Sequence, residues 1–313
     1  MARIDNIKGG ALLTALFIMT LVAIVATAMT TRLQLDIYRT RLIVIHDKLY
    51  MASQAVTFWA FNELANQKNQ YSKALEQGNV AQFPTKMAGI YPQMQITGTL
   101  YDLQARYNLN NLTDKKSIRG YINLESNALG KVQETQSKNS ALAIIDWLSN
   151  YDMGKGKDSY TTYYLKQKPA YQTSHQMMQS YSEFRLIQDI GADKFLALEP
   201  FVTVLPENTA ININTASRQV LMSLGNGLKE SRVNELIQAR EQNGIKDLKK
   251  LAELLKKLDI SSEQITIESS YFLTQAQVKS EDYSMTVYSL FKRSKDKNKK
   301  LTVQLVRQSI NGF

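Results

Sequence analysis

The chain has 313 residues, 44% hydrophobic and 21% charged, with a formal net charge of +10, no cysteine and two histidines. That composition is globular, with room for one large or two modest domains. The lack of cysteine excludes disulfide staples, thiolate metal sites and a cysteine nucleophile, and His46 and His175 alone leave too few ligands for a histidine zinc site.

The first element is the stretch Gly9–Thr31, which carries no charged residue and lies between Lys8 and Arg32. As a helix it spans roughly 34 Å, enough to cross a bilayer core. It is longer than a secretory h-region, and soluble helices rarely run this far without a charge. A membrane anchor is the reading that remains. The leader MARIDNIKG carries Arg3 and Lys8 against Asp5, so it is expected to stay in the cytoplasm while the rest of the chain is exported. Beyond Arg32 the helix is expected to continue to about Glu63. Leu35, Tyr38, Leu42, Ile45, Leu49, Ala52, Val56 and Trp59 recur at spacings of three and four, which puts them on one stripe. His46 sits beside that stripe.

Residues 66–89 are polar, with Gly78-Asn79 and Pro84, and read as a linker. Residues 93–112 suggest short strands interrupted at Gly98. Asp102 and Arg106 read as a local ion pair without catalytic chemistry. Residues 114 to about 200 are mainly helical, with ALAIIDWL at 141–148 as the clearest apolar run and Ser182 as an expected N-cap. The glycines at 154 and 156 lack P-loop spacing. Phe201–Leu205 is strand-like. In the run from Ala210 to Ser217, Asn214 or Thr215 is expected to cap a helix starting near Ala216. Two helices around Leu224-Gly225-Asn226-Gly227-Leu228 resemble a helix-hairpin-helix or SAM-like module, at about 206–262. From Ile265 the period becomes two. Phe272, Thr274, Ala276 and Val278 share a face, Met285 and Val287 another, and Leu301, Val303 and Leu305 a third. The lysine-rich run 292–300 joins the last two strands as an exposed hairpin. No serine–histidine–acid order, HExxH or paired-carboxylate site is present, so no enzyme is expected.

Three passages carry a family resemblance. Lys8-Gly9-Gly10-Ala11-Leu12-Leu13 resembles the junction of prepilin-like proteins, which a membrane prepilin peptidase cuts after a glycine before methylating the new terminus. The cut would fall between Gly9 and Gly10, or between Gly10 and Ala11. Where most pilin-like subunits have a glutamate as fifth mature residue, this chain has Thr14, or Ala15 for the second cut. Tyr101–Asn110 (YDLQARYNLN) and Asn212-Ile213-Asn214-Thr215-Ala216 resemble phrases of protein K of the type II secretion system, a minor pseudopilin family.

That resemblance implies an α+β fold: a pilin-like long N-terminal helix on a small antiparallel sheet, with a large, mainly helical insertion. Its parts would be a cleaved leader 1–9, a transmembrane stretch 10–31, core 32–113, insertion 114–264 and closing strands 265–313. It implies a single-pass inner-membrane subunit with its globular part in the periplasm, at the tip of a pseudopilus with minor pseudopilins I and J, and in contact with secreted substrates. The family associates calcium with the region following Trp147. Here Asp146, Asp152 and Asp158 remain as ligands, and Lys157 beside Asp158 would repel a cation. The rival reading is a DNA-binding or DNA-uptake surface protein using the hairpin module. The dispersed lysines favour a solvated basic surface, so no nucleic acid is expected.

Overall fold

The computed structural model describes residues 8–74, 78–113, 115–130, 134–150, 159–240, 244–298 and 300–312. The chain divides into two compact units, one through Met51 and one from Ala52 to Phe313. Helix α1 (Lys8–Ala65) runs through the boundary.

In the first unit, α1 contains a stretch long and apolar enough to cross a membrane. Its threonines do not disturb this. Thr20, Thr27, Thr30 and Thr31 each donate to a carbonyl three or four residues back, so their hydroxyls are satisfied within the helix. Leu35 and Tyr38, the start of the expected stripe, are exposed.

In the second unit, the last turns of α1 bury Ala52, Ser53, Val56, Thr57, Trp59, Ala60 and Leu64. They lie on a five-stranded antiparallel sheet of β1 (Asn79–Gln82), β2 (Gln95–Asp102), β7 (Tyr271–Ser280), β8 (Tyr283–Lys295) and β9 (Leu301–Ile310), in that spatial order. The expected break at Gly98 does not occur. Strand β2 runs through it without a register shift, pairing Gly98 with Ala276. A Cβ there would meet Val56 Cγ1 at 2.5 Å, so the glycine serves close approach of helix to sheet. The segment read as a linker contributes β1, whose ladder with β2 holds it in the sheet.

Thr274, Ala276, Val278, Met285, Val287, Ser289 and Phe291 alternate inward as expected. Trp59 meets Phe83 edge-on at 5.7 Å, and Thr57 and Ser289 hydroxyls lie 3.3 Å apart across the helix–sheet contact. Strand β9 departs from expectation. Leu305 pairs with the buried Phe291, yet its place on the edge strand leaves it exposed. The helix end is sealed from β8: Arg293 donates to the Leu64 carbonyl, which the last turn leaves without an intrahelical partner, and to the carbonyls of Asn66 and Asn69 just beyond it.

The remaining elements are β3 (Tyr107–Asn108), α2 (Lys115–Leu129), α3 (Glu134–Leu148), α4 (Ser159–Leu165), α5 (Ala192–Leu198), β4 (Val202–Thr203), β5 (Ile211–Asn212), α6 (Arg218–Leu221), α7 (Glu230–Arg240), α8 (Ala252–Lys257) and β6 (Ile265–Thr266). They share one apolar core that includes Leu109, Tyr121, Leu124, Ile144, Trp147, Tyr164, Phe184, Leu198, Leu221 and Val233. Strands β3 and β4 pair in parallel, as do β5 and β6. Two caps differ from expectation. Ser217 caps α6, because Asn214 and Thr215 turn inward, and Ser180, not Ser182, caps the 3-10 turn Tyr181–Leu186 in a capping box with Glu183.

Candidate functional site

The two sequence phrases that stand out, 101–110 and 212–216, meet in space. Asp102 ends β2 and is fully buried. Its Oδ1 accepts from the Gln104 backbone N–H at 2.9 Å. Its Oδ2 accepts from Asn212 Nδ2 at 3.0 Å, Thr215 Oγ1 at 2.6 Å and Ser269 Oγ at 2.7 Å. Burial raises the Asp102 pKa above the ordinary carboxyl value, and the donors from Thr215, Ser269, Gln104 and Asn212 oppose that shift without cancelling it.

The expected ion pair with Arg106 is not among the described contacts. Arg106 points the other way, donating from Nη1 to the Glu199 carbonyl at 3.3 Å with its guanidinium 5.7 Å from the Tyr101 ring centroid. Alternation along the chain explains this, because an acceptor-lined strand end and a residue four further on need not share a side once a 3-10 turn (Leu103–Ala105) intervenes.

The same local device occurs three times. At 102–104, 108–110 and 212–214, the first residue's side-chain oxygen accepts the backbone N–H two residues on. The third residue's amide then both donates to and accepts from backbone far away in sequence. Gln104 donates to the Ala210 carbonyl and accepts from the Ser270 N–H. Asn110 donates to the Met178 carbonyl at 3.0 Å and accepts from the Met178 N–H at 3.0 Å. Asn214 does the same to Ile245, at 3.0 and 2.7 Å. All six side chains are buried, so each amide replaces water as partner for backbone groups far away in sequence.

Asn108 and Asn111 extend the seam to Leu205, Glu207 and Thr209. Arg240, whose pKa burial lowers, donates from Nη1 to the carbonyls of Ile213, Asn214 and Ala216. Sequence reasoning singled out Asp102, Asn212, Asn214 and Thr215 but missed Gln104, Asn108, Asn110, Ser269 and Arg240. The repeated Asn-x-Asn spacing was the available signal.

At the other candidate site, Gly9 and Gly10 lie in the first turns of α1 and Gly10 is exposed. Thr14 Oγ1 donates to the Gly10 and Ala11 carbonyls, at 3.1 and 3.0 Å. Of the three calcium candidates, Asp152 and Asp158 lie outside the described residues. Asp146 on α3 is one carboxylate where calcium takes about six to eight oxygens. The nearby Ser149 carbonyl is already paired with His175 Nδ1 at 2.9 Å, and no group of three or more His, Cys, Asp or Glu fit to hold a metal occurs among the described residues.

The arrangement binds backbone to backbone and holds no nucleophile–base pair. Two family models, both described as protein K of the type II secretion system, match residues 105–207 and 211–271, together more than half of the chain. The chain belongs to the protein K family. Within it, type II secretion system protein K of Aeromonas hydrophila is 26% identical over 314 residues, covering 92% of this chain and 93% of that one. Protein K of Pseudomonas aeruginosa is 27% identical over 203 residues, covering 62% of this chain and only 60% of its own length. The fold is similar to one in the crystal structure of the GspK–GspI–GspJ complex from the enterotoxigenic Escherichia coli type 2 secretion system, with a TM-score of 0.68 at 21% identity, over 88% of this chain and all of that one. The chain is thus a pseudopilin-type component of type II secretion. The two protein K matches adjoin between residues 207 and 211, the stretch to which Asn108 and Gln104 donate, at the Glu207 and Ala210 carbonyls.

Proposed function

We propose that this chain is the minor pseudopilin at the tip of a short periplasmic fibre and helps initiate its assembly, as a structural subunit without catalytic chemistry. The observation that carries the reading is Thr14. Its hydroxyl is spent on the Gly10 and Ala11 carbonyls, so that position offers no charge to the terminal amine of a preceding subunit. A subunit that cannot dock beneath another belongs first in the fibre. The bulk of the helical insertion, 114–264, supports a terminal place as well.

In this reading prepilin peptidase cuts between Gly9 and Gly10, or between Gly10 and Ala11, and the new terminus is methylated. Residues 10–31 hold the chain in the inner membrane until assembly, with the leader in the cytoplasm and the globular part in the periplasm. Minor pseudopilins I and J are its partners, in keeping with the complex described for the fold relative, and secreted proteins meet the assembled tip. The DNA-binding alternative loses support at the glycine turn. The Gly225 N–H donates to Gln264 Oε1 at 3.2 Å and the Gly227 N–H to the Leu224 carbonyl at 3.0 Å, so neither amide is left for a phosphate.

The test mixes the full-length chain in detergent with full-length minor pseudopilins I and J of the same host. Complex mass is read by light scattering, and duplex DNA is titrated in parallel at two salt concentrations. A one-to-one-to-one complex with no salt-sensitive DNA binding supports the proposal. No complex, with DNA binding that weakens steeply as salt rises, overturns it.

A further inference from the structure

The sheet face away from α1 closes against the helical region only in part, where Tyr271, Leu273 and Leu290 pack with Leu205. Between sheet and helical region lies a cleft of about 710 Å³, within the range of sites that hold small ligands or a few residues of peptide. Tyr101 and Tyr288 line it from the sheet, Tyr181 from the 3-10 turn, and Arg106 and Ser309 carry its polar interior. Arg307 on β9 donates to the Gln179 carbonyl and bridges one wall to the other.

Two buried polar atoms here have no partner among the described residues: Arg106 Nε and Ser309 Oγ. An unpaired guanidinium N–H in a dry site is costly, and an anion is what removes the cost. The hydrogen bond shown for the Arg106 guanidinium is to the neutral Glu199 carbonyl at 3.3 Å, and no carboxylate lies within ion-pair distance of it among the described residues. The exposed Glu199 side chain stands at the rim. Its negative charge disfavours a dianion such as phosphate and leaves room for a single carboxylate. The tyrosine walls suit the apolar and amide groups flanking such a carboxylate in a polypeptide.

We propose that this cleft is a receptor for an extended polypeptide segment presenting one carboxylate, held by Arg106 and Ser309 between the tyrosines. The site does not depend on the fibre-tip reading and would stand if that reading fell.

The full-length chain in detergent is titrated calorimetrically with a capped leucine–glutamate–leucine tripeptide, its glutamine counterpart and inorganic phosphate. The glutamate peptide binds about ten-fold more tightly than the glutamine peptide, the worth of one charge-assisted hydrogen bond. Arg106→Gln abolishes that difference. Glu199→Gln, at an exposed rim position where folding is not at stake, tightens the glutamate peptide about two-fold by removing a like charge. Phosphate competes poorly. Equal binding of the two peptides, an unchanged affinity in Glu199→Gln, or phosphate competing as well as the peptide would each overturn the proposal.

Discussion

Asp102-Leu103-Gln104 and Asn108-Leu109-Asn110 use one geometry with two chemistries. In both, the first side chain caps a 3-10 turn and the third clamps remote backbone. Asn108 satisfies its own amide on neutral groups, the Glu207 carbonyl and Thr209 Oγ1. Asp102 instead gathers donors from β2's own turn, from the 212–215 turn and from Ser269 onto one carboxylate. The Asn108 amide reaches one remote segment, at Glu207 and Thr209. The Asp102 carboxylate reaches two, because it accepts on four sides and donates on none. The difference teaches where cooperation between sheet and helical region is concentrated.

Removing the hub is the harshest way to break that contrast. Asp102→Ala takes the acceptor from the Gln104 N–H and the Ser269 hydroxyl and leaves Asn212 and Thr215 only their secondary acceptors, Ser269 Oγ and the Asn212 carbonyl, so a loss of about 2–4 kcal/mol is expected. The urea midpoint of the full chain in detergent measures it, with fluorescence as readout. Trp59 packs beside the sheet and Trp147 in the helical core, so each reports its own region. In the unaltered chain the two signals should change together; in Asp102→Ala they should separate. A single shared transition in the variant would argue that the hub does not couple them.

The neutral clamps come next. Asn110→Ala and Asn214→Ala each strip both bonds from one buried backbone residue, Met178 or Ile245, and should cost about 2–3 kcal/mol apiece. If one were silent, the equivalence of the repeated device would fail.

Acidity sharpens the comparison further. The folded pKa of Asp102 lies above its unfolded value of about 3.9. Its stabilising contribution is therefore full below that unfolded value and is lost as pH rises through the folded one. Glu207 has the opposite sign. Lys292 and Tyr271 donate to its Oε1, each at 2.7 Å, and hold its pKa below the ordinary range, so its contribution is lost as pH falls through the folded value. Urea midpoints taken from pH 4 upward should show the Asp102 component, and Asp102→Ala should remove it. The smallest effect is Lys292→Ala. This exposed pair is screened by water, and its loss should shift stability by less than about 1 kcal/mol.

Local periodicity made α1 and β7–β9 legible. The alternation at Thr274, Ala276 and Val278 survives because one face is buried against a helix. Gly98 was misread because a glycine in a strand signals either a break or a close neighbour, and Val56 lies far off in sequence. Leu305 alternates with Leu301 and Val303 as a strand residue should, but on the sheet's edge alternation does not bring burial. The seam was half legible. Asn214 and Thr215 read as cap formers, the role their chemistry most often takes. Instead Thr215, with Asn212, donates to Asp102 and Asn214 clamps Ile245, and no local pattern reports partners at those separations. Arg106 was paired with its nearest opposite charge, whereas the 3-10 turn sends the two side chains apart.

The pairing of β2 with β7 has a consequence for the timing of folding. Ile96 faces Val278 and Leu100 faces Thr274, so the inner neighbour of β2 is made only after the whole helical region. Until then β2 has only the short β1 beside it, and α1 has no finished sheet to lie on. The helical core can assemble earlier, since its contacts close within the stretch already synthesised. The last step is therefore a long-range closure, of the kind that makes folding slow and leaves strand edges open meanwhile. Loss of β8 and β9 from the C-terminus would hold the chain at that stage, anchored and helical but with its sheet unfinished.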